Sequence, residues 1–193
     1  MLISKVVKAT EENWEDAYQI FYCSLRKLIS EEKEEKEEKE EKGNWFGGMS
    51  EDDVKESMKG SNALYLVYRK HDEMPVAAIS IIKQDNYQNY DSILREGNFT
   101  SSNIRTLNAM AVRPELWGQG YGRKSLKAIC DVLKKEGVDV LVGTVHPMYK
   151  SARKTLEYAS KDGQVHFSLA FTMKTKKHER LLNRRRFAFA IPE

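Results

Sequence analysis

The sequence predicts an α/β (α+β) protein that folds as a single domain over residues 1–193. Segments with the two-residue period of a strand alternate with segments that have the period of an amphipathic helix. Residues 138–145 are almost continuously apolar, which is typical of a central strand. The chain has 193 residues and 40% hydrophobic content, enough for a sizeable core. The elements follow the order β-α-α-β-β-β-α-β-α-β-β.

The chain begins with a predicted strand and a long amphipathic helix. Residues 2–9 form the strand, and Thr10 can cap a helix that extends to about residue 30. Residues 31–42 are four repeats of Glu-Glu-Lys, and we expect them to continue this helix into solvent as a charged, low-complexity extension. The extension carries a net charge of −4, which leaves +7 on the rest of a chain whose total is +3.

A short helix and a pair of strands come next. Ser50 heads the helix, and Asp53 is a near-match to the third residue of a capping box. Residues 63–69 and 76–83 are predicted strands joined by a polar turn. Residues 84–103 are polar and have no clear period, so they are predicted to form a long connection.

The second half of the chain alternates strands with helices. Residues 104–112 are a predicted strand, and residues 122–135 are a helix that Gly137 ends. The apolar strand at 138–145 follows this helix. The remaining predicted elements are a helix at 151–161 and closing strands at 167–175 and 186–191.

The most informative segment for function joins the strand that ends at Val112 to the next helix. It contains Gly118, Gly120 and Gly122 at alternate positions. Because glycine tolerates positive φ and has no side chain, such a loop can turn its backbone N–H groups toward one point. The helix behind it adds about half a positive charge at its N-terminus. The segment therefore predicts an anion cradle of the kind that binds phosphates.

Three phosphate-binding patterns can be compared with this segment. A P-loop requires Gly-x-x-x-x-Gly-Lys-Ser/Thr, and Lys124 and Ser125 do not follow the glycines at that spacing. A dinucleotide fingerprint requires a glycine at position 123, where Arg123 stands. The third pattern, Arg/Gln-x-x-Gly-x-Gly/Ala, fits residues 117–122, although Trp117 occupies its first position.

The third pattern is the pyrophosphate loop of the GNAT superfamily of N-acetyltransferases, which this segment strongly resembles. The order of the elements resembles the GNAT order over essentially the whole chain. The resemblance implies a mixed, mostly antiparallel central sheet flanked by helices, whose fourth and fifth strands splay apart around a thioester. It also implies acetyl-CoA as co-substrate. The implied cofactor-binding residues are Met110, Ala111, Val112, Trp117, Gly118, Gln119, Gly120, Tyr121, Gly122, Arg123 and Tyr149.

The reaction that the family performs requires a deprotonated amine, since an alkylammonium ion has a pKa near about 10.4. GNAT enzymes often place a glutamate base on the fourth strand, but this chain has Asn108 there. His146, at a strand end, is a further candidate base. Deprotonation through water, or by a carboxylate of the 84–103 connection such as Asp85 or Asp91, is the alternative.

The departing thiolate benefits from a proton donor. The family commonly uses a tyrosine on the helix after the fifth strand, and that position is Leu156 in this chain. Tyr149 and Tyr158 are the nearby tyrosines, and the resemblance makes both of them candidate acids.

The composition of the chain limits its possible cellular location and binding partners. No segment approaches the ~20 apolar residues needed to span a membrane, and the N-terminus is predicted to be a strand rather than a signal peptide. Cys23 and Cys130 fall within helical patterns and are predicted to be small buried residues, not disulfide partners or metal ligands. We therefore expect a cytoplasmic monomer or homodimer without a metal and without a membrane partner.

A basic cluster near the C-terminus raises an alternative. It could supply phosphate contacts to a nucleic acid, but it lacks the interleaved aromatics of a stacking platform, which favours a solvated hairpin turn. The cluster comprises Lys174, Lys176, Lys177, Arg180, Arg184, Arg185 and Arg186.

We therefore expect an enzyme that moves an acetyl group from acetyl-CoA to a primary amine by direct transfer in a ternary complex. The amine acceptor is a small molecule or a protein amine, and no nucleic-acid partner is expected. The alternative is a non-catalytic module on the same fold that binds acyl-CoA or nucleic acid.

Overall fold

The structure is a computed structural model that describes most of the chain. The described residues are 3–35, 49–99, 103–145, 150–160, 163, 165–167, 171–174 and 181–192. Its strands are β1 (Ile3–Lys8), β2 (Ala63–Arg69), β3 (Pro75–Ile82), β4 (Ile104–Val112), β5 (Val140–Val145), β6 (His166–Phe167), β7 (Phe171–Lys174) and β8 (Leu181–Ala190). Its helices are α1 (Trp14–Glu35), α2 (Glu51–Glu56), α3 (Asp91–Glu96), α4 (Tyr121–Lys135) and α5 (Lys150–Ala159), with 3₁₀ turns at Gln88–Tyr90 and Pro114–Leu116.

The strands pair in the order β1-β2-β3-β4-β5-β8-β6, and β7 also pairs with β8. The pairing of β4 with β5 is parallel, whereas the other pairings between described strands are antiparallel. The mixed, mostly antiparallel sheet flanked by helices is therefore confirmed. None of the described helices is long and apolar enough to cross a membrane.

Helices cover both faces of the sheet. On one face, α4 and α5 contribute Leu126 and Leu156 to a large apolar cluster that includes Leu141 of β5. Val140 and Val142 belong to a separate cluster with α3, because successive residues of a strand point to opposite faces. A third cluster joins α1 and α2 to the first half of the sheet.

Local signals in the first half of the chain agree with the structure. Ser50 and Asp53 form a capping box in which each side chain bonds to the other residue's backbone N–H. Helix α1 continues to Glu35, so it includes the start of the charged extension, and residues 36–48 lie outside the described residues. Cys130 is buried as predicted, but Cys23 is exposed, so the prediction for Cys23 was wrong.

Two segments differ from the prediction. Residues 84–103 contain a 3₁₀ turn and α3, whose buried Ile93 packs against β5 and β8. A helix of six residues is too short to have a readable period.

At the C-terminus, β8 begins at Leu181, five residues earlier than predicted, so Arg184–Arg186 lie in a strand and not in a turn. It pairs with β7 as a hairpin. Residues 175–180 of the basic cluster lie outside the described residues.

Strand β4 loses its parallel partner halfway along its length. Residues 104–107 pair with residues 140–143, and no pairing between β4 and β5 continues past Leu107 and Gly143 in the described part of the chain. On its other edge β4 stays paired with β3, but the register shifts between the pairs Ser80–Ala109 and Ile81–Leu107. Asn108 is the extra residue of this β-bulge. The bulge and the end of parallel pairing therefore coincide.

Gly143 at the last parallel pair cannot carry a side chain without a rearrangement. A Cβ atom there would lie 2.7 Å from Cζ of Phe187 and 2.9 Å from the carbonyl oxygen of Leu107. We expect Gly143→Ala to lower the free energy of unfolding by about 1–3 kcal/mol, because overpacking forces backbone shifts. Denaturant unfolding measures this loss.

The matched control is Gly122→Ala. The added methyl group would meet its nearest atoms at 3.7–4.0 Å, which is ordinary contact, so the free energy of unfolding should not fall. Equal effects of the two substitutions would show that close packing at Gly143 does not hold the two strands in place.

Candidate active site

A cleft of about 1060 Å³ opens where β4 and β5 separate. Residues 107–112 of β4 line it, together with Thr144 and Val145 of β5. The start of α4 and the first half of α5 line one side, and residues of α1 and α2 line the other. The cleft therefore extends from the strand gap to the beginning of a helix.

The backbone of β4 faces this cleft at alternate residues. The N–H of Arg113 donates to the carbonyl of Val76 on β3 at 2.9 Å. Because main-chain groups alternate between the two edges of an antiparallel strand, Ala111 also bonds toward β3. The peptide groups of Met110 and Val112 then point into the gap that β5 has left. A ligand in this gap can pair with β4 as a strand would.

The carbonyl oxygen of Val112 is already bound. It accepts hydrogen bonds from Oγ of Ser24 on α1 and from Nε1 of Trp117, each at 2.8 Å. Both lone pairs of this oxygen are therefore used, and the N–H groups of Met110 and Val112 are the donors that β4 offers to a ligand.

The glycine loop, residues 117–122, needs glycine at two of its three glycine positions. Gly118 has φ of 76° and Gly120 has φ of 78°, and a Cβ atom at either position would have open space around it. Gly122 is not among the residues with positive φ, so backbone conformation does not require glycine there. Open space beside the first two lets a ligand approach the backbone closely.

The start of α4 offers several unpaired donors. Gly120 caps the helix without a side-chain hydrogen bond, so the first N–H groups have no helical partner. The N–H groups of Trp117 and Gln119 are committed to the carbonyls of Pro114 and Leu116. The N–H groups that bond to no described residue are those of Gly118, Gly120, Tyr121, Gly122 and Arg123. Unpaired N–H groups at the positive end of a helix dipole are typical of an anion-binding site.

Comparison with known proteins identifies this arrangement. A family model described as the acetyltransferase (GNAT) family matches residues 14–157. The chain belongs to the GNAT acetyltransferase family. It is therefore an acetyltransferase, and the predicted family is confirmed. The role of the glycine loop stays a prediction.

Solved structures with the same fold have low sequence identity to the chain. It is similar to the ribosomal-protein-S18-alanine N-acetyltransferase from Escherichia coli (16% identity, 98% of this chain and 94% of that chain, TM-score 0.61). It is also similar to a GNAT-family acetyltransferase from Bacillus anthracis (14%, 98% and 98%, 0.60) and to a Bacillus subtilis acetyltransferase in complex with CoA (10%, 98% and 99%, 0.59). No relative was found among curated protein sequences.

The catalytic candidates lie in different places relative to the GNAT cleft. Asn108 is exposed and lines the cleft. Tyr158 is 49% exposed and does not line it. His146 and Tyr149 lie outside the described residues. Leu156, two residues before Tyr158, is buried and lines the cleft. Because residues two apart in a helix point about 200° from each other, Tyr158 lies on the opposite side of α5.

The described carboxylates of the cleft come from α2 and not from the 84–103 connection. Asp53 and Glu56 line the cleft, whereas the exposed Asp85 and Asp91 do not. Neither was predicted from the sequence to lie at the site, although their spacing of three residues places them on one side of a helix. No group of three or more potential metal-ligating side chains occurs within the described ranges.

Asp53 is poorly suited to act as a base. Its carboxylate accepts hydrogen bonds from the backbone N–H of Ser50 at 2.9 Å and from the hydroxyl of Ser50 at 2.7 Å. These bonds hold the pKa of Asp53 below its ordinary value. Glu56 pairs with Lys59. The two carboxylates on the α2 side of the cleft are thus held by Ser50 and Lys59.

Trp117 connects the glycine loop to β4 and α1. Besides the bond from its indole N–H to Val112, its ring lies 4.8 Å from Nζ of Lys27, which also donates to the carbonyl of Pro114. The residue in the Arg/Gln position of the GNAT motif therefore acts here through its side chain, while its own N–H is committed within the loop.

We expect Trp117→Phe to lower the free energy of unfolding by about 1 kcal/mol, because the ring is retained but the bond to Val112 is lost. Trp14→Phe is the control, since the indole N–H of Trp14 bonds to no described residue although Lys55 lies over its ring. Denaturant unfolding compares the two variants. An equal loss in both would show that the indole bond contributes nothing to stability.

Proposed function

We propose that this protein transfers an acetyl group from acetyl-CoA to a primary amine by direct transfer in a ternary complex. One observation carries the proposal: the gap between β4 and β5 runs into the uncapped start of α4 within a single cleft. A long ligand with an anionic diphosphate and an amide-containing arm matches this combination of an anion site and an open strand edge.

The residues that line the cleft fit acetyl-CoA. The N–H groups of Gly118 and of residues 120–123 would hold the pyrophosphate, and the N–H groups of Met110 and Val112 would pair with the pantetheine arm. The open space beside Gly118 and Gly120 supports this fit, because a phosphate can approach the backbone there. The CoA complex of a Bacillus subtilis acetyltransferase with the same fold supports it further.

Acetyl-CoA would supply an acetyl group activated as a thioester. Whichever of the N–H groups of Met110 and Val112 lies at the thioester would bond to its carbonyl oxygen, in place of the pantetheine arm, and stabilise the negative charge that develops there. The hydroxyl of Tyr149 would give a proton to the departing sulfur. Because Asn108 cannot accept a proton as a base, the amine would lose its proton to water or to His146.

A panel assay identifies the class of amine. Amines, polyamines, aminoglycosides and peptides are to be incubated with acetyl-CoA and scored by release of free thiol. Both cysteines are free thiols, which supports a cytoplasmic setting for this reaction. Thiol release that depends on an amine supports the proposal, and binding of acetyl-CoA without transfer to any amine in the panel would contradict it.

We expect Gly120→Val to abolish stabilisation by acetyl-CoA, because the side chain would occupy open space at the cleft and strain a residue with φ of 78°. Gly60→Val is the matched control, since Gly60 also has positive φ and open space but does not line the cleft. Both variants should lose comparable stability. Thermal unfolding with and without acetyl-CoA separates strain from binding. A normal shift in Gly120→Val would mean that the anion site lies elsewhere.

The two tyrosines provide a test of the acid. We expect Tyr149→Phe to lower turnover by about tenfold or more, since a general acid contributes a factor of about 10² to 10⁴. Tyr158→Phe should leave turnover unchanged, because its exposed side chain does not line the cleft. Steady-state kinetics at saturating acetyl-CoA measures both. The reverse result would make Tyr158 the proton donor.

A further inference from the structure

We propose that Asn108 presents its amide oxygen to an N–H of the acceptor amine, and that two buried serines fix the amide in this orientation. This inference rests on the proposed transfer to an amine and names a residue that positions the acceptor. The residues involved are Ser57, Ser80 and Asn108, here called the polar chain.

Asn108 lies at the point where the cleft begins. It is the bulged residue of β4 and the first residue of that strand beyond the last parallel pair with β5. Its side chain is exposed, and it lines the cleft. A group on this side chain therefore lines the same cleft as Met110, which is two residues further along β4.

The polar chain connects Asn108 to the backbone of α2. Nδ2 of Asn108 donates to Oγ of Ser80 at 3.3 Å, and Oγ of Ser80 bonds to Oγ of Ser57 at 3.0 Å. Oγ of Ser57 in turn donates to the carbonyl oxygen of Asp53 at 2.8 Å. Ser80 is fully buried and Ser57 is 4% exposed.

The direction of this chain follows from its last member. A carbonyl oxygen can only accept, so the hydroxyl hydrogen of Ser57 must point to Asp53. The oxygen of Ser57 can then only accept from Ser80, whose single hydrogen is used in that bond. The oxygen of Ser80 is left as an acceptor for Asn108.

The amide of Asn108 can make this bond in one orientation. Its NH₂ group must face Ser80, because an oxygen in that place would need the hydrogen that Ser80 gives to Ser57. A flipped amide would leave a buried serine hydroxyl without its hydrogen-bond partner, which is costly because both serines are buried. Oδ1 is therefore the amide atom left for a ligand in the cleft.

With Oδ1 facing the cleft, Asn108 favours an acceptor that can donate a hydrogen bond. A neutral primary amine has an N–H to give to Oδ1 and a lone pair to direct at the thioester carbon. A carboxylate or a carbonyl group has no hydrogen to give and would face a like dipole. The uncharged amide also does not hold the amine as an ammonium ion, as a carboxylate would.

A double-mutant cycle on kcat/KM for the amine tests the inference. We expect Asn108→Leu to lower kcat/KM by about tenfold, the order of one hydrogen bond, with the affinity for acetyl-CoA unchanged. Ser80→Ala should cause a smaller loss, because the amide becomes able to rotate. In the double variant the Ser80 substitution should cause no further loss, since Ser80 acts through Asn108.

Thr106→Val is the control. Thr106 lies on the same strand and has a buried hydroxyl that bonds to no described residue, and it does not line the cleft. Its kcat/KM should equal that of the parent. Thermal unfolding of each variant separates loss of fold from loss of function, and the exposed position of Asn108 keeps Asn108→Leu informative even if Ser80→Ala is unstable.

The outcomes separate this inference from the proposed function. Transfer to an amine that Asn108→Leu leaves unimpaired overturns the inference alone. A loss from Ser80→Ala that is equally large in the Asn108→Leu background overturns the orienting role of the serines. A parent protein that transfers acetyl to no amine overturns the proposed function and, with it, the inference.

Discussion

The parallel pairing of β4 with β5 ends at Leu107 and Gly143, and the rest of the site depends on that end. Past this point, β4 keeps its antiparallel partner, and no strand within the described residues pairs with its other edge. The close approach of Phe187 to Gly143 fills the space behind the last pair. Because buried, unpaired peptide groups are costly unless something binds them, the gap is the weak point of the sheet and the surface at which we propose that the ligand binds.

Both ends of the cleft present backbone N–H groups, but for different parts of the proposed ligand. At the strand gap, the N–H groups of β4 are held in place because Ser24 and Trp117 bind the carbonyl of Val112. At the glycine loop, positive φ at Gly118 and Gly120 shapes the turn whose backbone donors we propose for an anion. Side chains therefore mainly hold the backbone in position, which explains how a tryptophan can occupy the Arg/Gln position of a GNAT motif.

The sequence was sufficient to predict features that depend on residues close together in the chain. The glycine loop, the capping box of α2 and the order of the main elements were all predicted from local patterns. The polar chain was not, because Asn108 and Ser80 meet only through the register of β3 and β4. The position of Asp53 and Glu56 depends on how α2 packs, and the exposed side of Tyr158 depends on which face of α5 is buried.

The most direct test of this account is a titration of ¹⁵N-labelled protein with acetyl-CoA, followed through the backbone amide signals. We expect the largest shifts in two groups, Met110 and Val112 of β4, and Gly118 together with residues 120–123 at the start of α4. These are the amides that face the cleft without a bond to another strand. Largest shifts in β8 or β1, with the amides of Met110 and Val112 unchanged, would contradict the assignment of the strand gap as the binding site.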